Sequence, residues 1–236
     1  MIIGEGISDT DIRMPKDAYE KSKDTSTFDV YLIAIVRDSE GRVIDIHKQR
    51  SHSPTSNFIN IILPTQWSSQ VCSYEWSNCY INTGGTNACE CNGVGGGNRI
   101  ITYPNSNANY PTYLVGIQVG SGQQSNPYSS YNLAEPIANG SGAGQLIYGS
   151  PSVSSSITVS GNSAYFTISQ TFNNNSGGTV TITEVGIIIE FQCIMYNNTS
   201  LYNFGNLLVW YDVLSSAISV PNGGSVTIYY TFTVNP

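Results

Sequence analysis

The run SVTIYYTFTV (Ser225–Val234) decides the fold class. Val226, Ile228, Tyr230, Phe232 and Val234 fall on one side of an extended chain, and Thr227, Tyr229, Thr231 and Thr233 on the other. This strict period of two predicts an antiparallel strand with one face on a core and one in water. The turn Pro221-Asn222-Gly223-Gly224 introduces it. Two more apolar runs lie just upstream, TEVGIIIEF (Thr183–Phe191) and NLLVWYDVLSS (Asn206–Ser216). The first is nearly continuous, β-branched and too short to favour a helix, so it predicts a strand buried on both faces.

Further out, Phe28–Arg37 and Arg42–Arg50 predict a β-hairpin around Ser39-Glu40-Gly41, its first strand buried on both sides. Ser53-Pro54 has the chemistry of a helix start, with Ser as the cap and Pro at the first helical position. Phe58, Ile59, Ile61 and Ile62 would give that helix an apolar face until Pro64 stops it, and a strand competes for the same residues. Helix is otherwise expected only within residues 15–22. From Arg99 onward, short strands are predicted at Ile100–Tyr103, Tyr113–Val119, Gln145–Tyr148, Ser156–Ser160 and Ala164–Phe172. The links between them are rich in Asn, Gly, Ser and Pro. The pattern predicts an all-β chain, an antiparallel β-sandwich with jelly-roll character. Residues 1–27 form an N-terminal arm, read either as a disordered tail or as a segment that orders against a neighbouring subunit. Residues 28–236 form a single β-sandwich domain with a Cys/Gly-rich loop insertion at about 67–99.

Charge is scarce and unevenly placed. Eight of the nine Lys and Arg precede residue 51, and Arg99 is the exception, in a chain of formal net charge −7. With no basic face the body is not expected to bind nucleic acid. Its polar vocabulary is Ser, Thr, Asn, Gly and Tyr, which does not titrate in acid, so tolerance of low pH is expected. No stretch approaches the roughly 18 apolar residues of a membrane span. The N-terminus MIIGEGISDTDIRM lacks an apolar core and is not a Sec-type signal peptide. A body of extracellular character without an export signal fits a virion protein assembled in the host cytoplasm.

The order of several segments carries a resemblance. EVGIII, then LLVWYDVLSS, then ISVPNGGSVTIYYTFTV looks like the closing module of small virion structural proteins of tailed phages and archaeal viruses. Upstream, EGRVIDIHKQRSHSPTSNFINIIL (Glu40–Leu63) is similar to their N-terminal hairpin and Ser-x-x-x-Asn-Phe segment. VGIQVGSGQQSNPYSSYNLAEPI (Val115–Ile137) is similar to their Val-Gly-x-Gly…Leu-x-x-Pro-Ile step. The likeness covers about half the chain, and none of its motifs is catalytic. It implies a non-enzymatic protein that self-assembles at a tail, vertex or similar symmetric position of a particle. Its partners would then be copies of itself, other virion proteins and host surface glycans. A cell-surface glycan-binding module or surface filament subunit is the alternative.

Candidate chemistry is thin. Cys72, Cys79, Cys89 and Cys91 have the spacing C-x6-C-x9-C-x-C, unlike the paired knuckles of structural zinc sites. Disulfides, free thiols and a metal site stay open, in that order, and Cys193 reads as a small core residue. His47 and His52 bracket a charged strand end and read as solvated or core-edge histidines. A glycosidase pair of Glu184 with Asp212 competes with a structural reading. In the latter, Glu184 ends an exposed alternation and Asp212 accepts backbone hydrogen bonds where its strand bends. The structural reading is preferred, because the acid–base vocabulary is missing elsewhere and no catalytic residue or cofactor is expected. The glycines at 93–97 lack the strand-to-helix context and the Lys-Ser/Thr pair of a phosphate loop. Trp67, Tyr74, Trp76 and Tyr80 sit among amides and hydroxyls, as contacts for a glycan or protein partner or as packing over their own loop. Glycosylation sequons begin at Asn139, Asn174, Asn197 and Asn198.

Overall fold

The computed structural model describes residues 27–51, 53–58, 79–81, 87–89, 99–101, 115–154, 156–194 and 201–235. In chain order the strands are β1 (Thr27–Arg37), β2 (Val43–Ser51), β3 (Cys79–Ile81), β4 (Asn87–Cys89), β5 (Arg99–Ile101), β6 (Gly116–Gly120) and β7 (Ile147–Tyr148). They continue as β8 (Ser152–Val153), β9 (Thr158–Ser160), β10 (Ser163–Asn173), β11 (Val180–Ile194), β12 (Leu201–Val220) and β13 (Ser225–Asn235). The fold is an all-β sandwich of two antiparallel sheets. One sheet runs β2-β1-β13-β10-β7, with β8 and β9 also paired to β10, and the other runs β12-β11-β5, with β6 also on β11. β3 and β4 pair separately. Two compact units share the described residues, one drawn from Met1–His52, Ile137–Ile182 and Leu214–Pro236, the other from Ser53–Pro136 and Thr183–Val213.

In the first unit the predicted closing strand is the centre. β13 pairs β1 on one side and β10 on the other, with Val226, Ile228, Tyr230 and Phe232 in line with Val36, Ala34, Leu32 and Val30. All eight are buried, and each Val, Leu, Ile or Phe among them contributes about 1.5–3 kcal/mol in removing its surface from water. On the same face His47 meets Ser216 of β12, Nδ1 to Oγ at 3.1 Å, and the Ser215 N–H donates to Gln49 Oε1 at 2.9 Å. The other face carries cross-strand hydroxyl pairs, Thr167 with Thr231 at 3.0 Å and Thr171 with Thr227 at 2.8 Å.

The expected division into a core face and a water face holds for the middle of β13 and fails at its end. Thr231 and Thr233 are buried, while Val234 on the core face is 48% exposed. Thr231 and Thr233 sit on a central strand and are shielded by neighbours from β1 and β10 on both sides. Val234 lies in a row with Phe28, Ala164 and Val159 across four strands. Phe28 is 49% and Val159 72% exposed, so this end of the core face is open.

The β1–β2 hairpin forms as predicted, and β1 is buried from Leu32 to Val36 on both faces. Its turn closes on Asp38, whose Oδ1 accepts from Glu40 N at 2.9 Å and Arg42 N at 3.0 Å; Gly41 adopts φ +79° there.

The expected helix start is corrected. Ser53 and Pro54 are not a cap and first turn: Tyr211 N donates to the Ser53 carbonyl, Pro54 bridges Trp210, and Thr55 N donates to Val209 O. Residues 53–55 therefore extend along β12, and helical geometry begins only at Ser56. Backbone pairing to a long strand outcompetes the local Ser-Pro signal. Phe58 does supply an apolar contact, edge-on to Trp210 at 5.1 Å. A 3-10 turn at Pro127–Ser129 lies outside both segments where helix was expected. Pro127 fixes its first φ, a signal too short for a periodicity argument to detect.

Candidate functional site: a loop held by a buried carboxylate

The second unit is organised around β11. Val185, Ile187, Ile188 and Ile189 are buried as the β-branched run predicts. Glu184, expected at the end of an exposed alternation, is instead fully buried. An isolated carboxylate could not remain there uncompensated, because leaving water costs several kcal/mol. Its compensation comes from the chain between β6 and residue 136. Oε1 accepts from Glu135 N at 2.8 Å and Gly122 N at 3.3 Å. Oε2 accepts from Ala134 N at 2.9 Å and from the Tyr211 hydroxyl at 2.6 Å. The Tyr211 oxygen in turn accepts from Gln124 N at 2.7 Å.

These bonds draw together the two ends of the segment 121–135, helped by the Ser121 N–H donating to Glu135 O at 2.9 Å and by a bridge between Gly120 and Pro136. Thr183 Oγ1 adds a bond to Gly122 O at 2.8 Å. The result is an Ω-type loop with adjacent ends. Two glycines make the approach possible. A Cβ on Gly120 would collide with the Glu184 carboxylate and lie 2.7 Å from Glu135 O. On Gly186 it would stand 2.7 Å from Leu208 Cδ1 and 3.0 Å from Leu133 Cδ1. Leu133 packs from the loop into a buried cluster with Ile188, Leu208 and Tyr211. Burial, and next the hydrogen bond to Glu184, raise the Tyr211 phenol above its ordinary value.

At the outer part of the loop the Ser130 N–H donates to Pro127 O, and Ser130 Oγ donates to Asn126 O at 3.0 Å. Two aromatic side chains are left in solvent there, Tyr128 at 55% and Tyr131 at 45% exposed. From Ser121 to Ala134 the loop contains no charged residue. The side-chain amides of Gln123, Gln124 and Asn126 have no partner among the described residues.

The residues singled out from sequence are distributed otherwise. Glu184 and Asp212 are both buried, and Glu184 has each oxygen shared by two donors. This is the environment of a structural carboxylate, with no lone pair directed at a ligand. His47 is a buried core-edge residue, its Nε2 2.9 Å from Gln49 Oε1; His52 lies outside the described residues. Cys79 and Cys89 stand directly opposite each other in the β3–β4 register, and Tyr80 opposite Ala88. Cys72, Cys91, Trp67, Tyr74, Trp76, Asn197, Asn198, the glycines at 93–97 and the arm up to residue 26 lie outside the described residues.

Of the two described sequons, Asn139 is exposed and accepts from Tyr148 N through its side-chain oxygen. Asn174 is fully buried, its Nδ2 donating to Gly178 O and Val220 O and its Oδ1 accepting from Ser176 N. In the folded chain the amide nitrogen of Asn174 is out of reach of a glycosyltransferase. Among the described residues no cluster of His, Cys, Asp and Glu could hold a metal ion. No helix among them is long and apolar enough to cross a membrane.

Comparison with protein families, with curated proteins and with solved structures finds no match to this chain.

Proposed function

We propose that the chain is a non-enzymatic virion structural protein that self-assembles at a tail, vertex or similar symmetric position of a virus particle. The observation that carries this reading is the use made of Glu184. Its Glu-Val-Gly strand and the Val-Gly-x-Gly…Leu-x-x-Pro-Ile line, both drawn from the resemblance to virion proteins, are two halves of one packing device. A carboxylate that holds a loop is architecture, and both oxygens of Glu184 are already taken by donors. The open apolar row Phe28, Val234, Ala164 and Val159 supplies surface suited to association with further copies. Residues 1–26 precede β1 in the sequence, and their Ile2, Ile3, Ile7 and Ile12 offer apolar anchors among mixed charges. Exposed ion pairs add less than about 1 kcal/mol each, so apolar anchors and repetition around a ring must carry the assembly.

A surface glycan-binding module is the second reading, favoured by the exposed tyrosines of the 121–135 loop. The reading as a particle component is tested by mass spectrometry of purified virions, together with light scattering of the full-length protein and a variant lacking residues 1–25. The expected result is detection in particles, and a truncated body that melts like the full chain but has lost its higher oligomer. An unchanged assembly state in the truncated protein would contradict the role given to the arm. Failure to find the chain in any particle would contradict the function.

A further inference from the structure

We propose that the loop Ser121–Ala134 is a binding site for neutral saccharides, with Tyr128 and Tyr131 as the ring-contacting residues and Gln123, Gln124 and Asn126 as polar partners. This stands apart from the particle reading, since it concerns one loop of the isolated protein. It also lies far along the sequence from the aromatic group Trp67, Tyr74, Trp76 and Tyr80.

Tyrosine has a large amphipathic ring, and two on one short loop at 55% and 45% exposure leave apolar area in water that packing alone does not explain. The loop does have a packing residue, Leu133, and that side chain is buried. The tyrosines are therefore presented, on a loop anchored at both of its feet. Glu184 fixes the loop at Gly122, Ala134 and Glu135, and Tyr211 fixes it at Gln124. Ordering these groups before a ligand arrives removes much of the entropic cost that weakens binding by mobile loops.

The chemistry of the loop selects the ligand. A sugar ring offers C–H faces that lie against an aromatic ring, and hydroxyls that both donate and accept. Gln and Asn amides match those hydroxyls with two donors and an acceptor apiece. The loop lacks Lys and Arg, which excludes a phosphate backbone as the main contact. It exposes no large aliphatic side chain to fill the dry centre of a protein interface. Glu135, exposed at the foot of the loop in a chain of net charge −7, disfavours acidic sugars and leaves neutral ones.

The test uses the full chain on an array of neutral gluco-, manno-, galacto- and N-acetylated oligosaccharides, with polysialic acid, a single-stranded RNA and an unstructured peptide as comparisons. Hits are then titrated by calorimetry. Binding of at least one neutral class is expected, with affinity lowered about tenfold or more in Tyr128→Ala and in Tyr131→Ala. Both side chains are exposed, so the melting temperatures of these variants should stay at the wild-type value, and that measurement separates lost contact from lost fold. Binding at wild-type strength in the double variant Tyr128→Ala/Tyr131→Ala would overturn the proposal. So would failure of every neutral saccharide to bind below about 10 mM, or a preference for the RNA, the peptide or the acidic glycan.

Discussion

Two carboxylates in this protein gather backbone N–H groups, and they do so in opposite settings. Asp38 serves the β1–β2 turn, where its partners Glu40 and Arg42 lie within four residues and the Arg42 guanidinium adds a bond of 2.7 Å at the surface. Glu184 serves the 121–135 loop, where its partners lie 49 to 62 residues away in sequence and it has no access to water. The turn at Asp38 closes a short hairpin whose strands pair in any case. The ends of the loop at Glu184 are joined by a single bridge and the Ser121–Glu135 bond, and the carboxylate adds three backbone bonds to these. The same chemistry is therefore incidental to stability at one site and decisive at the other, because burial makes every lost bond unrecoverable from solvent.

The largest expected effect follows from breaking the buried member. Glu184→Gln keeps the shape but turns an NH2 toward groups that themselves donate, leaving at least one backbone N–H without an acceptor. A loss of about 1–3 kcal/mol is expected, seen as a shift of the denaturation midpoint at unchanged slope. No loss would mean that Leu133 and the bonds at Ser121, Gly120 and Thr183 hold the loop without the carboxylate.

An intermediate effect is expected from Tyr211→Phe, which removes one of the four donors to Glu184 and the acceptor of Gln124 N, for about 1 kcal/mol. It also sharpens the comparison through pH. The Tyr211 phenol is held above its ordinary value, so the folded state keeps this proton longer than the unfolded state does. Its contribution is complete below about pH 10 and is lost as pH rises further. Melts between about pH 8 and pH 11 should fall more steeply for the wild type than for Tyr211→Phe. Parallel curves would remove Tyr211 from the device.

The smallest effect belongs to Asp38→Asn. The Arg42 side chain, with backbone bonds from Arg42 and Glu40, holds this carboxyl below the usual carboxylate range. Its contribution is present above the unfolded value and is lost as pH falls through the folded one, in a window below about pH 4. At neutral pH the variant should melt within experimental scatter of the wild type. A large drop would show that the turn, too, depends on its carboxylate.

The contrast also explains what was legible in the sequence. The alternation of Ser225–Val234, the continuous run at Ile187–Ile189 and the turn signal at Ser39-Glu40-Gly41 are local, and each produced the element expected. The role of Glu184 was not legible, because Gly122, Ala134 and Glu135, far away in sequence, are brought to it by the pairing of β6 with β11. One signal did exist. A carboxylate carried into a buried run, as at Glu184, must find donors, and Val119-Gly120-Ser121-Gly122 offers small residues through which a backbone can approach. Ser53-Pro54 misled for the converse reason, a strong local cap signal overridden by pairing to β12. Tyr128 and Tyr131 carry no periodicity at all, and only their exposure distinguishes them from packing residues.

Hydrogen exchange at individual amides tests most directly whether Glu184 holds the loop. In the wild type the N–H groups of Ala134 and Glu135 should be protected well beyond those of Glu40 and Arg42, despite all four being bonded to a carboxylate. Glu184→Gln should speed exchange at Ala134 and Glu135 by roughly tenfold or more, while β1 and β13 keep their wild-type protection. Equal protection of Ala134 and Glu135 in the wild type and in Glu184→Gln would contradict it.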